Sequence, residues 1–248
     1  EMDSEQRATW EAIYDKKNEE FLKNPPVGKD LLRWKYQRYV KEYCRTIRSV
    51  DEQVGRLLDY LEEKGVLDNT VIVYTSDQGF LLGEHGLYDK RFMYEESFRT
   101  PLIISCPSLV KKHSVCKELV QNIDLAPTFL SLAGVEVPKE MSGRSLLPLF
   151  KNGKAENWRN ELYYHFYDYP AVGSVRKHDG IRTKRYKLIH WYGEGSGNDE
   201  AIDFWELYDL KKDVMEVNNV YDNPKYVKVR EALTVQLEKL RKDVGVTE

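Results

Sequence analysis

Two oxygen-bearing side chains, Asp77 and Gln78, follow a short apolar run in the first third of the chain. The run, Thr70–Thr75, is rich in β-branched residues and predicts a strand. Ligands of layered α/β domains bind outside the carboxyl ends of strands, and carboxylate and amide oxygens favour Ca²⁺ or Mg²⁺ over zinc. Asp77 and Gln78 are therefore candidate metal ligands, although Ser-Asp-Gln-Gly is also typical of a simple turn.

The same glycine-rich, charged segment, Ser76–Arg99, also contains His85 and Lys90. A lysine offers a mobile positive charge with several donors, and a histidine donates a hydrogen bond or a proton. Together with a metal, these groups suit a tetrahedral oxyanion. The alternatives are a histidine that only caps a turn and a lysine that is only solvated.

The elements around this loop predict an α/β domain. Residues 4–22 are compatible with a helix, and a longer helical pattern runs from Leu31 to a stop at Gly65. The strand at 70–75 and a second strand at 101–106 are both expected to be buried, the first on both of its faces. A helix is expected at Val120–Leu132. A helix, a turn and a buried strand form one step of a layered α/β domain.

After about residue 157 the pattern changes to short strands, many of them rich in tyrosine. They predict a small antiparallel sheet, followed by a closing helix over Pro224–Asp243. We therefore expect two domains, residues 1–156 and 157–248. The tyrosines are typical of sheet packing, and they also suit a surface on which sugars stack.

Composition excludes several classes of protein. The chain has 41% hydrophobic residues, 32% charged residues and a net charge of −3. This composition is not that of a disordered protein, and it lacks the excess of basic residues typical of nucleic-acid binding. No apolar run approaches the ~20 residues of a membrane span. The three cysteines show no metal-binding spacing, and Cys106 and Cys116 are close enough along the chain to form a disulfide in an oxidising compartment.

Several long motifs resemble the sulfatases of the alkaline-phosphatase superfamily. The stretch Val73–Pro107 is similar to the second signature region of that family, and the resemblance extends over almost the whole chain from Tyr39. The motifs that carry it are Tyr-Thr-Ser-Asp-Gln-Gly, Leu-Gly-Glu-His-Gly, Asp-Lys-Arg-Phe-Met-Tyr-Glu-Glu-Ser-Phe-Arg-Thr-Pro, Asn-Ile-Asp-Leu-Ala-Pro-Thr, Gly-Arg-Ser-Leu, Tyr-Lys-Leu and Trp-Glu-Leu-Tyr-Asp-Leu. The resemblance implies the C-terminal half of a sulfatase.

The resemblance also implies roles for individual residues. Asp77 and Gln78 match the family's second pair of calcium ligands, and Lys90 matches the lysine that contacts the substrate sulfate and assists catalysis. His85 is expected to be catalytic as well. The family's nucleophile, a formylglycine made from Cys or Ser in a Cys/Ser-x-Pro/Ala-x-Arg motif, and its first acidic metal pair are absent. We expect them in an N-terminal half outside this chain.

The function that follows is a sulfuric ester hydrolase acting on a sulfated sugar. The pattern is most similar to bacterial sulfatases of glycosaminoglycans, such as the N-acetylglucosamine-6-sulfatase branch, and His165 and His178 are expected to contact the sugar. The alternatives are a phosphodiester or phosphonate monoester hydrolase of the same superfamily, an inactive fragment or subunit, or a carbohydrate-binding module. The expected compartment is periplasmic or secreted, or lysosomal in a eukaryote.

Overall fold

A computed structural model describes residues 2–170, 172–197 and 199–246. The chain divides into two compact units, Glu1–Leu67 and Asp68–Glu248. The predicted boundary between residues 156 and 157 falls inside the second unit and stays a prediction. Among the described residues, no helix has the length and apolar character needed to cross a membrane.

The first unit is a pair of antiparallel helices, α1 (Ser4–Lys23) and α2 (Gly28–Glu63). The side chain of Asp3 accepts a backbone N–H in the first turn of α1, as a capping box requires. The rings of Phe21 and Trp34 stack with their centroids 4.1 Å apart, which joins the two helices. Both predicted helices are confirmed, although neither of them contains a fully buried residue.

In the second unit, β1 (Ile72–Thr75) and β4 (Leu102–Ser105) form a two-stranded antiparallel sheet. Leu102 and Ile104 pack on one apolar cluster, whereas Ile103, on the opposite face, is 63% exposed. Tyr74 of β1 is also 40% exposed. The prediction that both strands are buried, the first on both of its faces, is therefore wrong for this chain. The physical reason is that only one layer of described residues packs against the pair.

The segment between β1 and β4 is more ordered than its irregular sequence predicts. It contains a short ladder of β2 (Leu81–Leu82) with β3 (Tyr88–Asp89), and a one-turn helix, α3 (Glu95–Phe98). Leu81 and Met93 are fully buried. We call residues 76–99 the Lys90 loop.

Two short helices, α4 (Leu125–Leu132) and α5 (Leu147–Phe150), cover the inner face of β4. The predicted helix over 120–132 thus begins later than expected, after a 3₁₀ turn at Asn122–Asp124. Asp124 is fully buried and forms a bidentate ion pair with Arg159.

The remaining strands form a four-stranded antiparallel sheet in the order β5 (Glu161–Phe166), β6 (His178–Thr183), β7 (Tyr186–Gly193) and β8 (Ile202–Asp209). A closing helix, α6 (Val227–Asp243), follows. The predicted antiparallel sheet and closing helix are confirmed.

This sheet has two different faces. One face packs against Leu233 and Leu237 of α6. The other face, with Ile189, Trp191 and Tyr208, packs against Met93 of the Lys90 loop. The sheet therefore lies between the closing helix and the loop that carries the candidate chemistry.

The cysteines form no disulfide. Cys44, Cys106 and Cys116 are all free thiols. The Sγ of Cys116 instead lies 3.3 Å from the carbonyl oxygen of Gly153, to which it donates. A bridge between Cys106 and Cys116 is therefore not formed in this structure.

Candidate active site

Asp77 and Gln78 stand where β1 ends, as the sequence predicts. The Asp77 carboxylate accepts the N–H of Gln78 at 3.0 Å and lies 3.3 Å from the hydroxyl of Ser76. The amide of Asn122 donates to the backbone carbonyl of Asp77 at 2.7 Å and fixes the turn. No cation in the described part of the chain pairs with the Asp77 carboxylate, whose negative charge is therefore not neutralised.

Gly79 brings this turn against the backbone of α3. Its N–H donates to the carbonyl of Ser97 at 2.8 Å. A Cβ at this position would lie 2.0 Å from the carbonyl oxygen of Glu96, closer than any side chain tolerates. Glycine is therefore required for the close approach that holds Asp77 and Gln78 beside α3.

His85 is held in the left-handed region, with φ 56°. Its ring stacks on Tyr94 with centroids 4.3 Å apart, and its Nε2 lies 3.5 Å from Oε2 of Glu96. The side chain is only 15% exposed. Since Nε2 faces the carboxylate, Nδ1 is the ring nitrogen left for another partner.

Lys90 is partly buried and lies between two residues with unusual backbone conformations. Asp89 has φ 79° and Arg91 has φ 92°, and the two side chains form an ion pair at 2.5 Å. Non-glycine residues at such angles persist only where the surrounding structure imposes them. In the described ranges no residue forms an ion pair or hydrogen bond with the ammonium of Lys90.

The two predicted sugar contacts lie on opposite faces of the four-stranded sheet. His165 pairs across the strands with Asp179, which is bound at 2.6 Å by Arg241 of α6. His178 lies on the other face and stacks on Trp191, with centroids 4.2 Å apart. The structure therefore does not bring His165 and His178 together.

His178 is also fully buried. Its Nδ1 lies 2.8 Å from the carbonyl oxygen of Arg176, and burial lowers the pKa of the imidazole to about 4. The ring is therefore neutral at physiological pH. Near it, the hydroxyl of Tyr164 donates to the carbonyl of Arg91 at 2.6 Å, and burial raises the pKa of Tyr164 to about 12.

A metal fits this site only in part. Asp77 and Gln78 would supply a carboxylate and an amide oxygen, donors that suit Ca²⁺ or Mg²⁺. Ca²⁺ takes about six to eight oxygen ligands, and the described residues contain no group of three or more His, Cys, Asp or Glu that could hold a metal. Asp77 and Gln78 are thus two donors of a hard-cation site, not a complete one.

Sequence reasoning gave no role to a buried charge cluster behind the Lys90 loop. Lys187, on β7, is fully buried and lies 2.7 Å from Glu216 and 2.9 Å from Glu95. The signal was a single lysine among the mostly apolar and aromatic residues of β7. Such a lysine is usually solvated, and its burial depends on tertiary partners that the sequence does not reveal.

The two carboxylates of this cluster differ electrostatically. Burial raises the pKa of Glu216, and the charge of Lys187 only partly opposes this shift. Burial acts in the same direction on Glu95, but the charges of Lys187 and Arg182 outweigh it, so the pKa of Glu95 is lowered. Arg182 lowers the pKa of Glu95, whereas the negative charge of Glu95 raises the pKa of Glu216 further.

Comparisons with known proteins identify relatives of this chain. The chain is 49% identical over 243 residues to an N-acetylglucosamine-6-O-sulfatase of Bacteroides thetaiotaomicron, covering 97% of this chain and 42% of the relative. It is 35% identical over 196 residues to a multifunctional alkaline phosphatase superfamily protein of Trinickia caryophylli, covering 74% of this chain and 36% of that protein. The chain thus spans less than half the length of these relatives.

A solved structure of a protein in complex with its substrate D-glucosamine-2-N,6-O-disulfate superposes with a TM-score of 0.91 at 48% identity. The match covers 100% of this chain and 49% of the solved one. Two family models also match: one for the C-terminal region of N-sulphoglucosamine sulphohydrolase, at residues 83–243, and one for sulfatases, at residues 4–135. Since each of these models covers more than half of the sequence, the chain belongs to the sulfatase family.

Proposed function

We propose that the protein to which this chain belongs hydrolyses the sulfate ester of a sulfated sugar, with 6-sulfated glucosamine as its substrate class. The observation that carries the proposal is that one loop holds Asp77, Gln78 and Lys90, and that no described residue neutralises Asp77 or Lys90. A sulfate group would neutralise the charge of Lys90, and a metal ion bound with it would neutralise the charge of Asp77. The similarity to a 6-O-sulfatase and to a complex with a 6-O-sulfated glucosamine supports the choice of sugar.

The metal is proposed to be Ca²⁺, with Mg²⁺ as the alternative. Asp77 would bind it through its carboxylate and Gln78 through its amide oxygen. When bound, the ion neutralises charge that develops on the sulfuryl oxygens. The contribution of this chain is to hold the two donors in place, through the Asn122 hydrogen bond and the Gly79 contact.

Lys90 is proposed to donate a hydrogen bond to a sulfate oxygen and to stabilise negative charge during transfer. His85 would hold or donate a proton at Nδ1, since Glu96 lies beside its Nε2. The Glu96 carboxylate beside Nε2 orients the ring of His85. His85 therefore suits protonation of the leaving alcohol.

The nucleophile is proposed to lie in a part of the protein outside these 248 residues. None of Cys44, Cys106 and Cys116 stands in the motif that the family converts to formylglycine. The chain spans 42% of the curated relative, which leaves room for the nucleophile and the first metal pair elsewhere. We expect the isolated chain to have no turnover.

Among the predicted sugar contacts, His165 stays a prediction, because its ring lies on the sheet face that packs against α6 and not on the face that packs against the Lys90 loop. Its ring is partly exposed, and its Nε2 lies 2.7 Å from the hydroxyl of Tyr192. A direct contact of His178 with a sugar would require exposure of a ring that is 0% exposed here. We therefore propose that His178 supports the site indirectly, from the sheet face that packs against the Lys90 loop.

The compartment is proposed to be periplasmic, secreted or lysosomal. The argument is chemical, since the proposed substrates are sulfated sugars of the glycosaminoglycan type. The free thiols contribute nothing to this assignment.

The proposal is tested by assaying the complete protein, with calcium present, on three substrates: N-acetylglucosamine-6-sulfate, a phosphonate monoester and a phosphodiester. We expect inorganic sulfate from the first and at most slow hydrolysis of the others. Sulfate release only from a different sulfated sugar would retain the reaction and reject the 6-position. Hydrolysis of the phosphorus esters without sulfate release from any ester would instead assign the superfamily's other activity.

A further inference from the structure

One buried ammonium joins the C-terminal sheet to the Lys90 loop. Lys187, on β7, has no solvent exposure, and its Nζ donates to the carbonyl oxygen of Met93 at 2.6 Å. The same Nζ lies 2.9 Å from Oε1 of Glu95 and 2.7 Å from Oε1 of Glu216. A buried lysine needs such compensation, because an unpaired charge in the interior is costly.

The partners of Lys187 hold the loop from a second side. Oε2 of Glu216 accepts the backbone N–H of Glu95 at 2.6 Å. Arg182, on β6, lies 3.3 Å from both carboxylate oxygens of Glu95. Residue 95 is therefore fixed through its backbone and its side chain at once.

The segment that is held in this way begins one residue after Lys90. The carbonyl of Arg91 is bound by Tyr164, the carbonyl of Met93 by Lys187, and the N–H of Glu95 by Glu216. All three partners belong to the C-terminal part of the chain. Since the ammonium of Lys90 has no partner of its own among the described residues, its position depends on this backbone.

The backbone itself needs such support. Arg91 has φ 92° and Asp89 has φ 79°, and such angles are strained in non-glycine residues. A segment with these angles relaxes to ordinary ones when its outside contacts are lost. Relaxation would turn the Lys90 side chain away from its present direction.

We propose that Lys187 is a positioning residue, which acts with Glu216 and Arg182 to hold Lys90 in the orientation that contacts the substrate. Lys187 touches no substrate and acts only through the loop. This inference rests on the proposed role of Lys90 in sulfate binding. It extends that role by making the four-stranded sheet part of the catalytic apparatus.

The test uses the complete protein with Lys187→Met, alone and combined with Lys90→Ala. We expect Lys187→Met to lower kcat/KM for sulfate release by at least about tenfold. In the Lys90→Ala background the same substitution should lower kcat/KM further by no more than about twofold, because both changes remove one function. The matched control is Lys184→Met, which changes an exposed lysine in the turn before β7 that pairs with Glu118, and it should leave kcat/KM unchanged.

A second variant covers the case in which Lys187→Met does not fold. Lys187→Met with Glu216→Gln removes both buried charges and keeps an acceptor for the N–H of Glu95. The second measurement is amide hydrogen exchange of the peptide Tyr88–Met93, which reports loop order without any substrate. We expect faster exchange there in the double variant and no change in Lys184→Met.

The outcomes separate this inference from the proposed function. If the unmodified protein releases no sulfate, the proposed function is wrong, and hydrogen exchange alone decides whether Lys187 orders the loop. Unchanged exchange at Tyr88–Met93 overturns the inference. So does a loss of kcat/KM that is equally large with and without Lys90, because Lys187 would then act on stability and not through Lys90.

Discussion

At the scale of single residues, the site combines charges that lack partners with backbone angles that need support. Asp77 and Lys90 are not neutralised by described residues, and Asp89 and Arg91 hold left-handed angles on either side of the lysine. Sites of this kind are poor for stability, since they store strain and unsatisfied charge. Their persistence here is explained by the substrate and metal that we propose for them.

Lys90→Ala tests the residue that we place nearest to the sulfate. In the complete protein we expect turnover to fall at least tenfold, which corresponds to ~1.4 kcal/mol of lost transition-state stabilisation. The measurement is sulfate release from N-acetylglucosamine-6-sulfate at saturating substrate. Lys139→Ala, at an exposed position, is the control. Equal turnover in all three proteins would remove Lys90 from the mechanism.

His178 predicts a dependence of stability on pH. Its pKa is about 4 when folded and about 6.5 when unfolded. The unfolded chain therefore binds a proton first as the pH falls, and the free energy of unfolding decreases from pH 6.5 to pH 4, by up to ~3 kcal/mol. His178→Phe should flatten this dependence in urea unfolding measured between pH 7 and pH 4. Identical slopes for the two proteins would show that the ring is not buried in its neutral form.

At the scale of elements, the sequence predicts the helices and strands that depend on local residue patterns. The strands of the C-terminal sheet and the helix α6 follow from apolar periodicity and turn residues, and the structure confirms them. The Lys90 loop has no such period, because its order comes from distant contacts such as that of Tyr164 with Arg91. The chemistry proposed for the loop rests on its residue types and on the family resemblance, whereas the geometry of the loop could not be predicted from its sequence.

The same distinction explains one wrong prediction about burial and one buried residue that the sequence did not reveal. β1 and β4 have the sequence of covered strands, yet Ile103 is exposed, since covering depends on other elements. Lys187 has the sequence of a solvated lysine, yet it is fully buried, since Glu95 and Glu216 surround it. Periodicity indicates which face of a strand is apolar but not which charged groups it meets.

Gly79→Ala tests the contact between the metal-ligand turn and α3. An added Cβ would lie 2.0 Å from the carbonyl oxygen of Glu96, so the turn must move. We expect a loss of about 1–3 kcal/mol in the free energy of unfolding, as for other overpacked positions, together with a weaker apparent affinity for calcium. The readouts are urea unfolding and the calcium dependence of sulfate release.

Gly55→Ala is the matched control for that change. Gly55 lies within α2, and an added Cβ would have no described atom within 4 Å other than the adjoining residues and backbone of its own helix. Alanine there should stabilise the helix by about 0.8–1 kcal/mol and leave the calcium dependence unchanged. If Gly79→Ala behaves like this control, the turn does not depend on close packing against α3.

At the scale of the whole molecule, the chain accounts for part of a sulfatase. It spans 42% of the length of its curated relative, and it contains one loop of the proposed site, with the sheet that supports it. We assign the nucleophile and the other half of the proposed metal site to the rest of the protein. The central claim is therefore that Asp77, Gln78 and Lys90 complete a metal-dependent sulfate ester hydrolase.

The most direct test is sulfate release from N-acetylglucosamine-6-sulfate by the complete protein, before and after metal removal. We predict release in the presence of calcium, loss of release after chelation, and recovery when calcium is restored. Asp77→Asn should require more calcium for half-maximal release, because one charged donor is lost. Release that is unaffected by thorough chelation, or a calcium dependence that Asp77→Asn does not alter, would contradict this account.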